Sequence, residues 1–513
     1  MNAATGDQPP RRVPIPSPRN ASSPCSSTVS GNRGQEMGRV RGLVSVRSGR
    51  WVCLAALVCA SLLWANPAHA AVGGNKLWVT RQSGYTTDGL DVGARTAASP
   101  DGAKVFVTGT VDLFTEGKNY LTLAQDSATG AVIWSASYNS GGSQDDSAAA
   151  VAVSPDGTKV YVTGVANGGW ATIALDSSTG AQLWVAQYGA VAPFTLWDQL
   201  AVSPDGSKVF IAGTGLSASP SSPEDYATVA YNASTGAQLW VSTWNGPANL
   251  NDDVSAIGVT PDGSRVIVTG FNESYRRGDE YFTIAYSAAT GARLWFQRYN
   301  GFLGNYISPT RDRATSLAIS PNGLFVAVTG ESVSLPSNDE NATVAYSVAT
   351  GAQLWVARFT NPVTGGHVLP VRAVVSPNSS KVFVTGPTDL GTPDYETIAY
   401  EASTGAQVWA QAYDGIGHDY DSPSAVAVSG DGSKVVVTGR SWGGDWLQLD
   451  FATVAYDTTT GAQVWVSRHN AAIGSHDYPF DLAMVPGRNS VVVSGASDAA
   501  VHLGDHATVM IAL

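Results

Sequence analysis

Carboxylates recur along this chain on a fixed period. Carboxylates in rows can hold hard cations, brace loops or move protons. Asp91, Asp146, Asp252, Asp312, Asp421 and Asp477 each stand nine residues before the second position of a turn signature, S-P-D-G or a relative. Asp225, Glu280, Glu340, Asp394, Asp450 and Asp505 each stand three residues before the Thr of a second signature, A-T-V-A-Y or a relative. Ca2+ is the natural ion for such oxygen ligands. Asp421 and Asp477, each with a histidine three residues away or adjacent (His418, His476), are the best pair for a shared metal site. The competing role is structural, each carboxylate accepting N–H bonds from its own loop. No loop shows the dense D-x-D-x-D-G spacing of a Ca2+ loop.

Aromatic residues add a second candidate chemistry. Trp170, Trp197, Tyr275, Tyr306, Trp442 and Trp446 are expected in loops, outside the repeat pattern, and could stack a sugar or another flat ligand, or pack a loop onto the strands below it. The remaining histidines (His367, His469, His502 and His506) show no metal spacing. No G-x-S-x-G, P-loop or dinucleotide fingerprint is present, so no catalytic residue is named.

The elements that position these residues are repeats. T-G-A-x-x-W occurs seven times, ending at Trp134, Trp184, Trp240, Trp295, Trp355, Trp409 and Trp465. The turn signature with its following V-x-V-T-G, and the A-T-V-A-Y signature, each occur eight times. Each unit reads as four short strands, called a to d in chain order, with β-branched residues and alternation supporting each one. Ser-Pro-Asp-Gly turns a into b, and Asp-x-x-Thr-Gly turns c into d. Four strands repeated eight times predict an all-β, eight-bladed β-propeller. The chain ends on a c strand, Ala507–Ile511, while a lone d-type strand, Lys76–Val79, opens it. The count closes if that N-terminal strand pairs with the C-terminal blade, which also removes the raw edges of an open array.

Spacing divides the propeller into two faces. From the turn to the strand-b Gly the distance is nine in every unit, and from the strand-c Thr to the Trp it is twelve. From the strand-b Gly to the strand-c Thr it varies between 8 and 15, and from the Trp to the next turn between 20 and 26. All length variation therefore lies on the face of the b–c and d–a loops, where binding residues concentrate on a rigid scaffold. Asp91, Asp146, Asp252, Asp312, Trp170, Trp197, Trp442 and Trp446 are its candidate ligand-face residues.

The first seventy residues read differently. Residues 1–36 show no apolar period and are expected to be disordered or an over-extended start. In 37–70, Arg39, Arg41, Arg47 and Arg50 precede an apolar run, Trp51–Trp64, and an Ala68-His69-Ala70 cleavage site, the pattern of a signal peptide. The apolar run is shorter than a membrane span. The expected mature protein, 71–513, is secreted or periplasmic. Its formal charge goes from −12 to −18, since the leader carries eight Arg and two acids. That charge excludes a nucleic-acid partner. All three cysteines (Cys25, Cys53, Cys59) leave with the leader, which excludes disulfides and thiolate metal sites. Charged residues are 14% and Gly is 55 of 513, a profile of strands and turns rather than helices.

At Ala455-Tyr456-Asp457-Thr458-Thr459-Thr460-Gly461-Ala462-Gln463-Val464-Trp465 the chain resembles the tryptophan-docking repeat of the quinoprotein (pyrroloquinoline quinone, PQQ) alcohol dehydrogenase-like propellers. The resemblance covers about 75–513. It implies eight blades, and it extends to non-enzymatic relatives, among them the outer-membrane assembly propeller lipoprotein. The family's enzymes carry a vicinal Cys pair over the cofactor, and Ca2+-ligating and catalytic residues in long insertions. The mature chain has no Cys and little room for the insertions, so PQQ is not expected and no functional residue is carried over. The reading is a monomeric, non-catalytic binding or scaffold module with a protein or glycan at its acidic loop face. The alternative is a PQQ-dependent dehydrogenase-like or glycan-active enzyme.

Overall fold

The computed structural model describes residues 73–82, 92–113, 117–141, 145–189, 200–216, 224–274, 278–301, 310–335, 338–359, 371–388, 392–444, 448–471, 476–499 and 502–513. The segment 1–36, the signal-peptide segment, Asp91, Trp197, Tyr275, Tyr306, His367 and Trp446 lie outside them.

Eight antiparallel sheets follow one another along the chain. Blade 2 shows the unit: Ser147–Val153, Lys159–Ala166, Gly169–Asp176 and Gln182–Tyr188. The first strand of each sheet touches the first strands of both neighbouring sheets, and that of blade 1 (Val92–Ala98) touches that of blade 8 (Asp477–Met484). The a strands thus form an unbroken inner circle. Blade 8 draws its d strand from the other end of the chain: Lys76–Gln82 pairs antiparallel with His502–Ala512, Val79 opposite Val509. Blade 4 departs from the four-strand unit. Its d–a loop is the longest, and Thr310–Arg311 at the end of that loop pairs parallel with Gly278–Asp279.

The core lies between blades. Phe210, Tyr226 and Trp240 of blade 3 pack on Val266, Phe282 and Tyr286 of blade 4, and Val105 and Val107 of blade 1 pack on Val492 and Met510 of blade 8. In blades 1, 2, 4, 5, 6 and 7 the strand-b and strand-c threonines pair side chain to side chain, as Thr163 with Thr172 at 2.9 Å and Thr269 with Thr283 at 2.8 Å, while blade 3 has Ala212 and blade 8 Ser494 at the strand-b place. This explains why Thr, rather than Val, recurs at both places. A hydroxyl buried there needs a partner, and the opposite strand supplies it.

The repeated Trp fastens each blade to the next. Trp134 Nε1 donates to Ser177 O (3.1 Å), Trp184 Nε1 to Ala233 O (3.1 Å) and Trp355 Nε1 to Ala402 O (2.7 Å), each carbonyl standing in the following blade. Each ring lies flat against the Gly of the following T-G-A. Gly236 has φ of 71°, and a Cβ there would stand 2.7 Å from the Trp184 ring. Only glycine gives both the left-handed backbone and the clearance. The circle includes the chain ends: Trp465 lies on Gly73 and Gly74, and Trp78 on Gly130.

Trp184→Ala should therefore cost about 3–5 kcal/mol of unfolding free energy. Leu183→Ala, one residue away on an exposed side chain, should stay within about 0.5 kcal/mol. Urea titration of both variants checks this, and equal losses would count against the docking role.

Candidate functional site

The carboxylates at the start of strand a are internal braces. Asp146, Asp252, Asp312, Asp421 and Asp477 are all buried, none more than 1% exposed. Four of them accept the N–H of the residue six positions earlier, fixing the d–a loop: Ser140 N to Asp146 at 2.6 Å, Gly246 N to Asp252 at 2.5 Å, Gly415 N to Asp421 at 2.5 Å and Ala471 N to Asp477 at 2.8 Å. The other oxygen takes a donor from or just beyond strand b: Asn167 N for Asp146, Asn272 Nδ2 for Asp252, Trp442 N for Asp421 and Ser497 Oγ for Asp477. Ser332 Oγ donates to Asp312 at 2.5 Å.

The strand-c carboxylates divide in two. In blades 4, 5 and 7 the third residue after the Trp is an Arg that pairs with the carboxylate: Arg298 with Glu280 at 3.9 Å, Arg358 with Glu340 at 2.9 Å and Arg468 with Asp450 at 3.0 Å. Arg358 also reaches Tyr299 of the preceding blade (2.7 Å), and Arg468 reaches Tyr413 of its preceding blade (3.0 Å). Ser332 and Ser441 link these arginines to Asp312 and Asp421. The W-x-x-R signal was present in the sequence and these pairs could have been found from it. In blade 6 the corresponding residue is Ala412, and Asp394 is left without an arginine.

Asp394 instead joins Asp414 and Asp421. One oxygen from each lies within 4.8 Å of the others, the one such three-residue group found among the described residues. Asp421 is therefore gathered with two acids of blade 6, and Asp477, its expected partner, is not a member. Burial, then the charges of Asp414 and Asp421, push the Asp394 carboxyl up to about 6. His418, exposed, faces Asp414 at 2.7 Å, and that hydrogen bond raises its pKa above the usual histidine value. Its φ of 49° belongs to a tight turn in which His418 N donates to Gly415 O at 3.1 Å. Around this turn Ile416 is 65% exposed and Tyr420 36% exposed, with the Arg440 guanidinium 4.6 Å from the Tyr420 ring. The result is an outward patch of acid, histidine and apolar groups on loop 414–420.

The aromatic candidates fare unequally. Trp170 is 3% exposed and packs 5.4 Å from Tyr188, so it is not a stacking platform. It stands two residues before the strand-c Thr, where other blades have Tyr120, Tyr226, Tyr281 and Tyr395. It is therefore a repeat residue that the sequence reading placed outside the pattern. Trp442 is half-buried beside the acidic cluster, against Gly417 of the same loop.

Burial raises Asp252 to about 6. Its protonated form is favoured by folding, so the associated stability is fully present below the unfolded value near 3.8 and is lost as pH rises through about 6. Asp252→Asn does not titrate. Its melting temperature relative to the wild type should rise progressively between pH 4 and 7 at constant ionic strength, and a pH-independent difference would show an ordinary carboxyl.

The chain matches a family model, PQQ_2, described as outer membrane protein assembly factor BamB, over residues 224–372 and 339–501. No curated protein matches it. Among solved structures, Chaetomium thermophilum Sqt1 bound to the N-terminus of ribosomal protein L10 is 14% identical with TM-score 0.55, covering 82% of this chain and 97% of that one. The Dos1 propeller is 13% identical with TM-score 0.53, covering 85% and 95%. Quinohemoprotein alcohol dehydrogenase ADHIIG of Pseudomonas putida HK5 is 13% identical with TM-score 0.52, covering 86% and 76%. At these identities the likeness is one of fold. Among the described residues no helix is long and apolar enough to cross a membrane.

Proposed function

The chain belongs to the PQQ-like repeat family described as outer membrane protein assembly factor BamB, and we propose that it is an exported, non-catalytic binding module whose variable loop face takes a cationic polypeptide segment. One observation carries the reading. Most rim carboxylates are consumed by their own blades, whereas Asp394 and Asp414 stay available beside His418, Ile416 and Tyr420. An exposed acid, Asp414, with the half-buried Asp394 behind it and exposed apolar side chains beside it suits Lys or Arg flanked by an apolar residue. Sqt1, similar in fold, is a propeller bound to the N-terminus of another protein. The absence of cysteine from 71–513 supports a role apart from the quinone enzymes.

The test uses the mature chain with fluorescent Lys/Arg-rich and Glu-rich peptides, each containing Leu. The basic peptide should bind, weakening with salt. The double variant Asp394→Asn/Asp414→Asn should bind about tenfold or more weakly. Equal affinity for both peptides would overturn the reading, as would dye-linked oxidation of alcohols or sugars after reconstitution with PQQ and Ca2+.

Export is the second part. Mass spectrometry of the secreted or periplasmic protein should find Ala71 at its N-terminus. An intact 37–70 segment on the exported chain would refute processing at Ala70.

A further inference from the structure

The outer wall between blades 3 and 4 departs from the repeat at two places. Two residues before its docking Trp, the d strand of blade 4 (Arg293–Tyr299) has Arg293. Blades 2, 3, 5, 6 and 7 have Gln there, blade 1 has Val132 and blade 8 has Lys76. One residue after the Trp, blade 4 has Phe296, where blades 2, 3, 5, 7 and 8 have Val. Together these residues build a stack. The Trp244 ring, at the end of the blade 3 d strand (Gln238–Trp244), has its centroid 4.9 Å from that of Phe282 and 5.5 Å from that of Phe296. The Arg293 guanidinium sits 4.6 Å from the Trp244 ring and 5.2 Å from the Phe296 ring. Arg293 is exposed, and among the described residues no carboxylate pairs with its guanidinium.

The surroundings are positive and apolar. Arg298 lies 5.7 Å from the Phe282 ring and makes only a long ion pair, 3.9 Å, with Glu280. Neither d strand holds an acid. The c–d turn position that is Asp126, Asp176 or Asp457 in other blades is Asn232 in blade 3 and Ser287 in blade 4. This wall is therefore cationic in a protein whose total charge is −12. Leu294 is 48% exposed and Phe296 41%. The blade 4 d strand is also the outermost of its sheet, and among the described residues nothing pairs with its far edge. Such an edge accepts an extended chain. Every blade has one, so selectivity must come from Arg293 and Phe296. A guanidinium held between two rings keeps its in-plane N–H groups for a carboxylate, in a geometry already fixed. The exposed Phe296 ring beside it favours an aromatic partner.

We propose that the outer wall between blades 3 and 4 binds an extended acidic polypeptide segment, a Glu or Asp side chain pairing with Arg293 and a neighbouring aromatic side chain packing on Phe296 and Leu294. This site repels the cationic segment assigned to loop 414–420. The two sites take partners of opposite charge, and either reading can fail without affecting the other.

The experiment is fluorescence anisotropy of the mature chain with a labelled peptide in which Glu flanks Phe. It should bind saturably, one per chain, and weaken as salt rises. A peptide with Leu in place of Phe should bind several-fold more weakly, and one with Gln in place of Glu should bind hardly at all. Arg293→Gln and Phe296→Val install the residues of neighbouring blades, so both should fold, which thermal melting checks. Arg293→Gln should weaken the Glu/Phe peptide by about tenfold or more, and Phe296→Val several-fold. Asp394→Asn/Asp414→Asn should leave it unchanged. The proposal is overturned if the wild type shows no saturable binding, if the Gln peptide binds as well, or if Arg293→Gln binds like the wild type. A wild-type dimer in sedimentation that Arg293→Gln abolishes would also overturn it, making a second copy of this chain the occupant. Should Arg293→Gln fail to fold, Phe296→Val decides: unchanged affinity counts against the site.

Discussion

The Trp ring laid on the next blade's glycine is the contact on which the rest of the structure depends. A four-stranded blade alone has two apolar faces and a raw edge, and cannot bury either face by itself. Each Trp ties the outermost strand of one blade to the next, and in all but Trp465 its Nε1 ends on a backbone carbonyl there, as Trp240 does on Ala288 O at 3.2 Å. The glycine beneath it cannot be replaced without moving the ring. Because the N-terminal strand supplies both Trp78 and the Gly73–Gly74 platform for Trp465, a few residues at one end of the fold hold blade 8 to both of its neighbours.

That rigidity leaves one face free to vary. The a–b and c–d turns are locked by their own chemistry. Ser154 Oγ and Thr158 N both donate to Asp156, holding its carboxyl near 2, and Asp176 is held there in the same way by Ser178 and Thr179. A turn so determined cannot change length. In the d–a loops, among the described residues, the strand-a Asp fixes where the loop ends. Length and side chains between those fixed points are unconstrained by the scaffold.

The repeats were legible because each repeated residue answers a need that recurs from blade to blade: Trp for docking, Gly for the left-handed turn and, in six of the eight blades, Thr for the b–c pair. Even the exchange of the last d strand to the N-terminus could be read from a missing count at one end and a surplus at the other. The site was less legible because it arises where repetition fails. Asp394 looks like Glu340 and Asp450 in sequence, and only Ala412 in place of the arginines three residues after Trp355 and Trp465 sets it apart. Trp170 misled in the opposite direction. Read as a loop aromatic outside the repeat, it occupies the place held by Tyr in four other blades, and its ring is buried between blades 2 and 3.

The same logic separates the charges that hold the fold from those that can act. A carboxylate met by two donors from its own blade is already neutralised in effect, and a ligand gains nothing by approaching it. Asp252, between Gly246 N and Asn272, is of this kind. Asp414, exposed and met by His418 and by two other acids, is not. In the a strands, pairing register sets Arg95 and Arg372 at the position where blades 2, 4, 5 and 7 have Ala or Ser and blade 8 has Asp481. A propeller built from nearly identical blades can carry function only at positions that break its periodicity. In this chain the Asp394, Asp414 and Asp421 group lies where that periodicity fails, at the rim between blades 6 and 7.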